Sequence, residues 1–198
     1  MGDRHLDVSR SILVKSAGRL LLLILLAVLF TACGPPNFLV RRDAMEAPPS
    51  GKALVRFISP KAVGYVFDGQ EVIGFSFPKT HFDYVAEPGK HLFITSMENK
   101  AFMEADLLPG KTYYVLMRLI FGAWRSRIAF LPVNEGSELL NDANLYLRKS
   151  KSYDLDATTK TAWQDKYGPR MPALIDSYHS ELKDKYNWPR LNPGDWIK

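Results

Sequence analysis

The sequence predicts a mainly β fold: an antiparallel β-sandwich of the immunoglobulin or transthyretin-like class, followed by C-terminal α-helices. Two observations predict the sandwich. Short segments rich in Val, Ile, Phe and Tyr recur between residues 53 and 133 at a spacing of roughly ten residues, and turns with Gly or Pro separate them. A third observation predicts the helices, because an apolar period of about four residues replaces the strand pattern after residue 133.

The composition suits one folded domain with extensions. The chain has 198 residues, of which 46% are hydrophobic and 24% are charged, so it can bury a core. The net charge is +5 at pH 7, but Lys and Arg are interspersed with acidic residues, and we therefore expect no nucleic-acid binding. A single cysteine excludes an intramolecular disulfide and a multi-cysteine metal site.

Residues 1–32 have the organisation of a secretory signal peptide. Residues 1–19 are basic, residues 20–30 are an unbroken apolar run, and the small residues Thr31 and Ala32 follow as a cleavage site. The apolar run is shorter than the ~20 residues that a transmembrane helix needs. A permanent transmembrane helix is the alternative interpretation.

Cys33 follows this segment directly. The arrangement resembles a bacterial lipoprotein signal, in which small and apolar residues precede a cysteine that is lipidated on its sulfur and becomes the new N-terminus. The resemblance implies a membrane anchor of two or three acyl chains, such as palmitate, which binds stably. It also implies an envelope location facing the periplasm. Gly34 stands where an Asp would retain the protein in the inner membrane, so the outer membrane is expected if the organism has one.

Two other roles for Cys33 remain open. A lone cysteine is often a small buried side chain, but the Gly-Pro-Pro that follows breaks helices and strands and places Cys33 at a junction. A catalytic thiol needs a positioned base and an electropositive pocket, which a leader junction does not offer.

The rest of the chain divides into three predicted regions. Residues 33–52 carry the lipidated cysteine and a proline-rich tether. Residues 53–133 form the sandwich, and residues 134–198 form a helical extension. The eight predicted strands are residues 53–58, 63–67, 71–77, 81–86, 91–97, 101–107, 112–119 and 127–133.

Two turns are particularly informative. Asp68-Gly69 lies between two strands and is a strong hairpin signal, because Gly tolerates positive φ. The sequence Glu-Pro-Gly-Lys, which contains Gly89, joins the fourth and fifth predicted strands. If those strands form a hairpin, Tyr84 pairs with Phe93, an aromatic pair worth up to about 1 kcal/mol.

These turns carry a family resemblance. The stretch from residue 53 to 133, with Val-Phe-Asp-Gly, Glu-Pro-Gly-Lys-His and Leu-Pro-Gly-Lys-Thr-Tyr-Tyr, resembles the β domain of small bacterial lipoproteins classed as a domain of unknown function. It is also similar to PEGA domains, which share the Asp-Gly and Pro-Gly turns. The resemblance implies a β-sandwich and supplies no catalytic residue.

The last predicted helix has one apolar face. Leu174, Tyr178, Leu182 and Tyr186 repeat every four residues, and this stripe is expected either to pack on its own domain or to bind a partner. Trp188 and Trp196, near the C-terminus, are candidate partner-binding residues, because exposed tryptophans mark interfaces.

The sequence offers few candidates for chemistry. His81 and Asp83 share one strand face, which keeps an envelope hydrolase as an alternative function. The loop residues Trp124 and Arg125, with Arg127, combine a stacking ring with cations, which suits an anionic glycan or a phosphate. An ordinary hairpin tip between the last two predicted strands is the favoured explanation of these residues. We expect no metal and no cofactor, because no ligand spacing is present.

Taken together, these features predict a lipid-anchored cell-envelope protein that is not an enzyme. Its expected role is structural, or the binding of an envelope protein partner. The competing hypotheses are the hydrolase and the glycan-binding module described above.

Overall fold

The eight predicted strands are all present in the computed structural model, which describes residues 34–96, 100–121 and 126–198. The predicted signal peptide and Cys33 lie outside the described residues. The chain separates into two contact units, Met1–Pro36 and Asn37–Lys198, and the elements below belong to the second. The prediction of a mainly β fold with C-terminal helices is confirmed.

The strands fall into a predicted and an unpredicted set. The predicted set is β2 (Ala53–Ser59), β3 (Gly64–Asp68), β4 (Glu71–Ser76), β5 (Thr80–Ala86), β6 (Gly89–Ser96), β7 (Lys100–Leu107), β8 (Thr112–Phe121) and β9 (Ser126–Val133). The unpredicted set is short: β1 (Leu39–Arg41), β10 (Lys151–Leu155), β11 (Arg190–Leu191) and β12 (Trp196–Ile197).

Within the described residues, the helices all follow β9. They are α1 (Leu139–Lys149), α2 (Ala157–Tyr167), a 3-10 turn (Gly168–Arg170), α3 (Met171–Ser177), a π-helical turn (Tyr178–Leu182) and α4 (Lys183–Lys185). Asp156 caps α2, because its carboxylate accepts a hydrogen bond from Thr159 N at 2.9 Å. Among the described residues, no helix has both the length and the apolar character needed to cross a membrane.

The larger sheet has the order β1-β10-β5-β2-β8, and both β9 and β12 pair with the far side of β8. Most of its pairs are antiparallel, as predicted. The pairs β2–β8 and β10–β5 are parallel, which departs from the predicted antiparallel sandwich.

The smaller sheet has the order β11-β7-β6-β3-β4. Its β3–β4 hairpin turns at Asp68-Gly69, as the sequence predicts, with Asp68 opposite Glu71. Gly69 has a φ of 54° and the next residue has no positive φ. This is the pattern of a type II′ turn, which matches the twist of the two strands.

The prediction of a β5–β6 hairpin is wrong. Gly89 takes a positive φ of 117°, as predicted, but β5 pairs with β2 and β10 while β6 pairs with β3 and β7. The turn fixes only a local reversal of the chain, and here it leads from one sheet to the other. The rings of Tyr84 and Phe93 still meet, edge to face, with 6.2 Å between their centroids.

The inner faces of the two sheets form the main core. From the large sheet come Val55, Phe57, Val115 and Phe130, and from the small sheet Val66, Phe93 and Met103. Two further cores lie on the outer faces of the sheets. Helix α1 covers Ile58 and Leu116 of the large sheet, while α3 and the π-helical turn cover Phe67, Ile94 and Phe102 of the small sheet.

Part of the predicted tether belongs to the folded unit. β1 pairs antiparallel with β10, and the Phe38 ring packs against Phe75 and Trp163, at 5.3 and 4.9 Å between centroids. The predicted helical extension likewise contributes β10, β11 and β12 to the sheets. Strands at sheet edges present unpaired N–H and C=O groups, and these short segments pair with them.

Candidate functional site

A groove of about 770 Å³ opens where the edges of the two sheets meet. Its walls come from β7, with Phe102, and from β9, with Ile128 and Phe130. Among the described strands β9 pairs only with β8, and Pro132 within it is consistent with an edge position. β11 pairs with β7 only from Glu104 onward, so both walls present strand edges.

Residues 186–189 form the roof of the groove, and Glu104 fastens it at both ends. The Glu104 carboxylate binds Lys183, which precedes the roof, and Arg190, which follows it. The hydrogen bond from Lys183 is the largest influence that lowers the pKa of Glu104 below its usual value. Within the roof, Trp188 Nε1 donates to Leu182 O at 2.7 Å. The two ion pairs of Glu104 and the hydrogen bond of the half-buried Trp188 ring thus hold the roof in place.

Two aromatic side chains lie exposed at the mouth of the groove. Phe121 is 73% exposed and Tyr186 is 51% exposed, and both line the groove. Lys100 and Arg127 line it as well, and its lining, drawn from the described residues, contains no acidic side chain. An apolar surface with a basic rim favours a ligand that is apolar and carries negative charge.

Of the three predicted glycan-binding residues, only Arg127 lies within the described residues. Trp124 and Arg125 lie outside the described residues. Arg127 is exposed on β9 and lines the groove. β8 and β9 pair antiparallel up to Phe121 and Ser126, so the hairpin is present as expected, and the glycan hypothesis stays a prediction.

The two predicted partner-binding tryptophans are less exposed than the sequence indicates. Trp188 packs against Phe102, edge to face, at 5.1 Å between centroids, and lines the groove. Trp196 lies on β12 opposite Tyr113, with Lys111 Nζ 3.6 Å from its ring centre. Both are half-buried. They pack against the domain because β11 and β12 bring their segments back to the sheets.

His81 and Asp83 lie on the same face of β5, as predicted, but they do not bond to each other. The Asp83 carboxylate accepts hydrogen bonds from Arg56 Nε at 2.6 Å and from Met45 N at 2.7 Å. His81 Nδ1 lies 2.7 Å from Ser150 Oγ, and burial is the main cause that lowers the pKa of His81. Asp83 therefore neutralises Arg56 and does not orient the imidazole for base catalysis.

A second polar cluster joins His91, Asp68 and Tyr84 beside the main core. His91 Nδ1 lies 2.6 Å from Asp68 Oδ2, and its Nε2 lies 2.7 Å from Glu87 O. Because both nitrogens face acceptors, the ring is suited to the doubly protonated form. Burial is the largest single influence and acts to lower the pKa of His91, but the hydrogen bond and charge of Asp68, together with the bond to Glu87 O and the charge of Asp106, outweigh it and leave the pKa raised. Tyr84 also donates to Asp68, at 2.8 Å.

This cluster supports the turn before β6 and is not arranged as a metal centre. Across the described ranges, no three His, Cys, Asp or Glu side chains lie together as metal ligands.

Comparison with known proteins adds no relative. No protein-family model, curated protein or solved structure gives a significant match to the chain.

Sequence reasoning placed Tyr186 in the apolar stripe that either packs on its own domain or binds a partner, but it did not select Phe121 and Lys100 as site residues. Phe121 lies just beyond the predicted strand 112–119, and Tyr186 ends the apolar stripe of the last helix. The exposed end of each pattern is the signal that marks them, and it needs the fold to be seen.

Proposed function

We propose that the protein is a lipid-anchored cell-envelope protein with a non-catalytic, protein-binding role, and that the groove holds an extended segment of an envelope partner. The observation that carries this proposal is the exposure of Phe121 at the mouth of an apolar groove. A single exposed apolar residue needs no explanation. Two exposed aromatic rings on one groove mark an interaction site.

The chemistry of the groove supports an extended, apolar and acidic segment as its occupant. The strand edges of β7 and β9 offer main-chain hydrogen bonds to an added strand. The side chains of such a strand alternate, so one set would contact the exposed rings of Phe121 and Tyr186. Acidic side chains on the other set would meet Lys100 and Arg127.

The position of the groove agrees with an anchor at Cys33. The described chain joins the large sheet through β1, at the edge opposite β9. Strand β4, at one edge of the small sheet, lies near β10, and β7 lies near β9. The groove therefore opens at the edge opposite the point where the N-terminal segment joins the fold. In a protein anchored through Cys33 and facing the periplasm, the groove is then turned away from the membrane, the outer one if two are present.

Photo-crosslinking in intact cells tests the binding role. A photoreactive amino acid replaces Phe121 or Tyr186 in the full chain, and Leu145, which is 39% exposed on α1, provides the control position. We expect one protein to be captured at both groove positions and not at Leu145. Equal capture at all three positions, or none at Phe121 and Tyr186, refutes the proposal.

A binding measurement then tests the occupant. A synthetic peptide covering the captured segment is titrated against the protein, and Phe121→Ala is expected to weaken binding by at least tenfold, the loss of about 1.4 kcal/mol. Leu145→Ala should leave the affinity unchanged. An unchanged affinity in Phe121→Ala would show that the segment binds elsewhere.

The anchor has its own test. Cells are labelled with a fatty-acid probe, and the full chain is compared with Cys33→Ser. Lipidation at this site predicts that the label is lost in the variant, and equal labelling of both rules it out.

A further inference from the structure

The edge of the fold opposite the groove carries a cluster of basic side chains, here called the basic corner. Backbone contacts place its members together: Lys151 N donates to Lys79 O at 3.3 Å, and Lys79 N donates to Pro60 O at 3.3 Å. Arg42 N donates to Ser152 O at 3.1 Å. The exposed members are Arg41, Arg42, Lys61, Lys79, Lys149 and Lys151.

The acidic groups close to the corner do not neutralise it. Asp154 lies 3.7 Å from Arg42 Nε, in an exposed pair, and Asp43 is exposed beside Arg42 in the chain. Asp83 is the nearest acid on β5, and it already pairs with Arg56. Two acids against six cations leave the corner strongly positive.

Lys79 adds a second observation. Among the described residues, Lys79 is the one non-glycine residue with a positive φ, 61°. A Gly or Asn takes this conformation at lower cost, so a lysine is held here despite its backbone. Its side chain is exposed, and the strained turn directs a cation outward beside Lys151.

The N-terminal segment brings the corner close to a membrane. Phe38 already packs into the fold, so residues 34–37 alone separate it from Cys33, and the five Cα–Cα steps between the two residues span at most about 18 Å. Lys151 lies four residues along β10 from Leu155, the partner of Leu39, a distance of about 13 Å. The β1–β10 edge can therefore lie along the surface that holds the anchor.

We propose that the basic corner binds the anionic phospholipid headgroups of the anchoring membrane. This inference rests on the proposed lipid anchor for its biological setting, but the contact itself does not need the acyl chains. Each Lys or Arg close to an anionic surface strengthens partitioning about fivefold, and the attraction falls off within ~10 Å at 0.1 M salt. The basic corner would keep the β1–β10 edge against the membrane surface, while the acyl chains anchor the protein in the bilayer.

Vesicle flotation tests the proposal with a chain that starts at residue 34 and cannot be lipidated. This chain retains the whole contact unit Asn37–Lys198, with both sheets and all three cores. We expect it to float with vesicles of phosphatidylcholine and phosphatidylglycerol, to remain behind with phosphatidylcholine alone, and to be released by added salt.

Matched charge reversals identify the surface. Lys79→Glu with Lys151→Glu should weaken partitioning by at least 25-fold, from about fivefold per residue. Lys100→Glu with Lys185→Glu makes the same charge change on exposed residues near the groove and should weaken it far less. Equal losses in both variants, or no flotation with anionic vesicles, overturn the proposal. Vesicle binding without lipid labelling of Cys33 would refute only the anchor.

Discussion

Replacing Asp83 with asparagine tests how the N-terminal segment is held. Arg56 donates from Nε to Asp83 Oδ1 at 2.6 Å and from Nη2 to Asp83 Oδ2 at 2.9 Å. The same Nη2 donates to Met45 O at 2.6 Å, and Met45 N donates back to Asp83. One ion pair thus binds both backbone groups of Met45.

The magnitude follows from the burial of the pair. The side chains of Arg56 and Asp83 are only 11% and 6% exposed. Burial acts to lower the pKa of Arg56, and the bond and charge of Asp83 leave it raised in the native protein; without Asp83 the guanidinium still stays charged, because arginine is not deprotonated in proteins. Removing one partner of a buried pair costs about 3–5 kcal/mol. We expect Asp83→Asn to lower the free energy of unfolding by about 3 kcal/mol, since the amide keeps one acceptor.

Urea unfolding at pH 7 measures this loss, and hydrogen exchange at Met45 reports the release of its N–H. The exposed pair between Lys52 and Glu87 supplies the control, because Glu87→Gln should cost about 1 kcal/mol or less. The double variant Arg56→Met with Asp83→Leu should recover most of the stability. If Asp83→Asn costs no more than Glu87→Gln, the pair is solvated and the reasoning fails.

Three further predictions concern stability. The pKa of His91 is raised above 6.5 in the folded protein, so protonated His91 stabilises the fold fully below pH 6.5. This stabilisation is lost as the pH rises through the raised pKa, and His91→Gln should therefore reduce the pH dependence of the free energy of unfolding above pH 6.5. His81, with its lowered pKa, must stay neutral, so the fold loses stability as pH falls below 6.5, and His81→Gln should remove that loss. Gly74→Ala should cost about 1–3 kcal/mol, because its methyl group overlaps the Phe82 ring.

Each of these predictions has a control. Asp68→Asn removes the negative charge that favours the protonated form of His91, so it should flatten the same limb of the pH curve; a persistent slope in both variants would assign it to other groups. For His81, the prediction is refuted if the free energy of unfolding of His81→Gln still falls below pH 6.5 as steeply as that of the native protein. Gly194→Ala adds its methyl group where no atom lies within 4 Å, and it should be tolerated in the thermal unfolding scan that detects the Gly74 loss.

The sequence predicts the long strands well, because alternation and turn residues act locally. The strand from Glu71 to Ser76 and its turn at Gly69 illustrate this, since both follow from side chains that are neighbours in the chain. The β5–β6 junction shows where local rules end. Gly89 takes the expected φ, but the choice of partner strands depends on β2 and β10, which lie far away in sequence.

The short strands and the site depend on the same distant contacts. β11 has two residues, too few for a period, and it pairs because the edge of β7 accepts it. Phe121 follows the predicted strand 112–119, and its 73% exposure beside the groove depends on where the end of β8, opposite Ser126, lies relative to residues 186–189. Composition and spacing do not contain that information.

The docking of residues 39–52 gives the domain a defined response to a pull on its N-terminus. The load is met first at Phe38, whose ring packs against Phe75 and Trp163 and whose carbonyl accepts from Asp156 N. β1 can then peel from β10 one pair at a time. The pull then reaches Met45, where Arg56 and Asp83 hold both backbone groups. Release of that pair frees the chain up to residue 52. The freed segment has an extended length of at most about 50 Å, and it extends before β2 and the cores bear any tension. If the domain is anchored through its N-terminus and a bound partner pulls on it, residues 39–52 would extend first, while β2 and the cores stay folded.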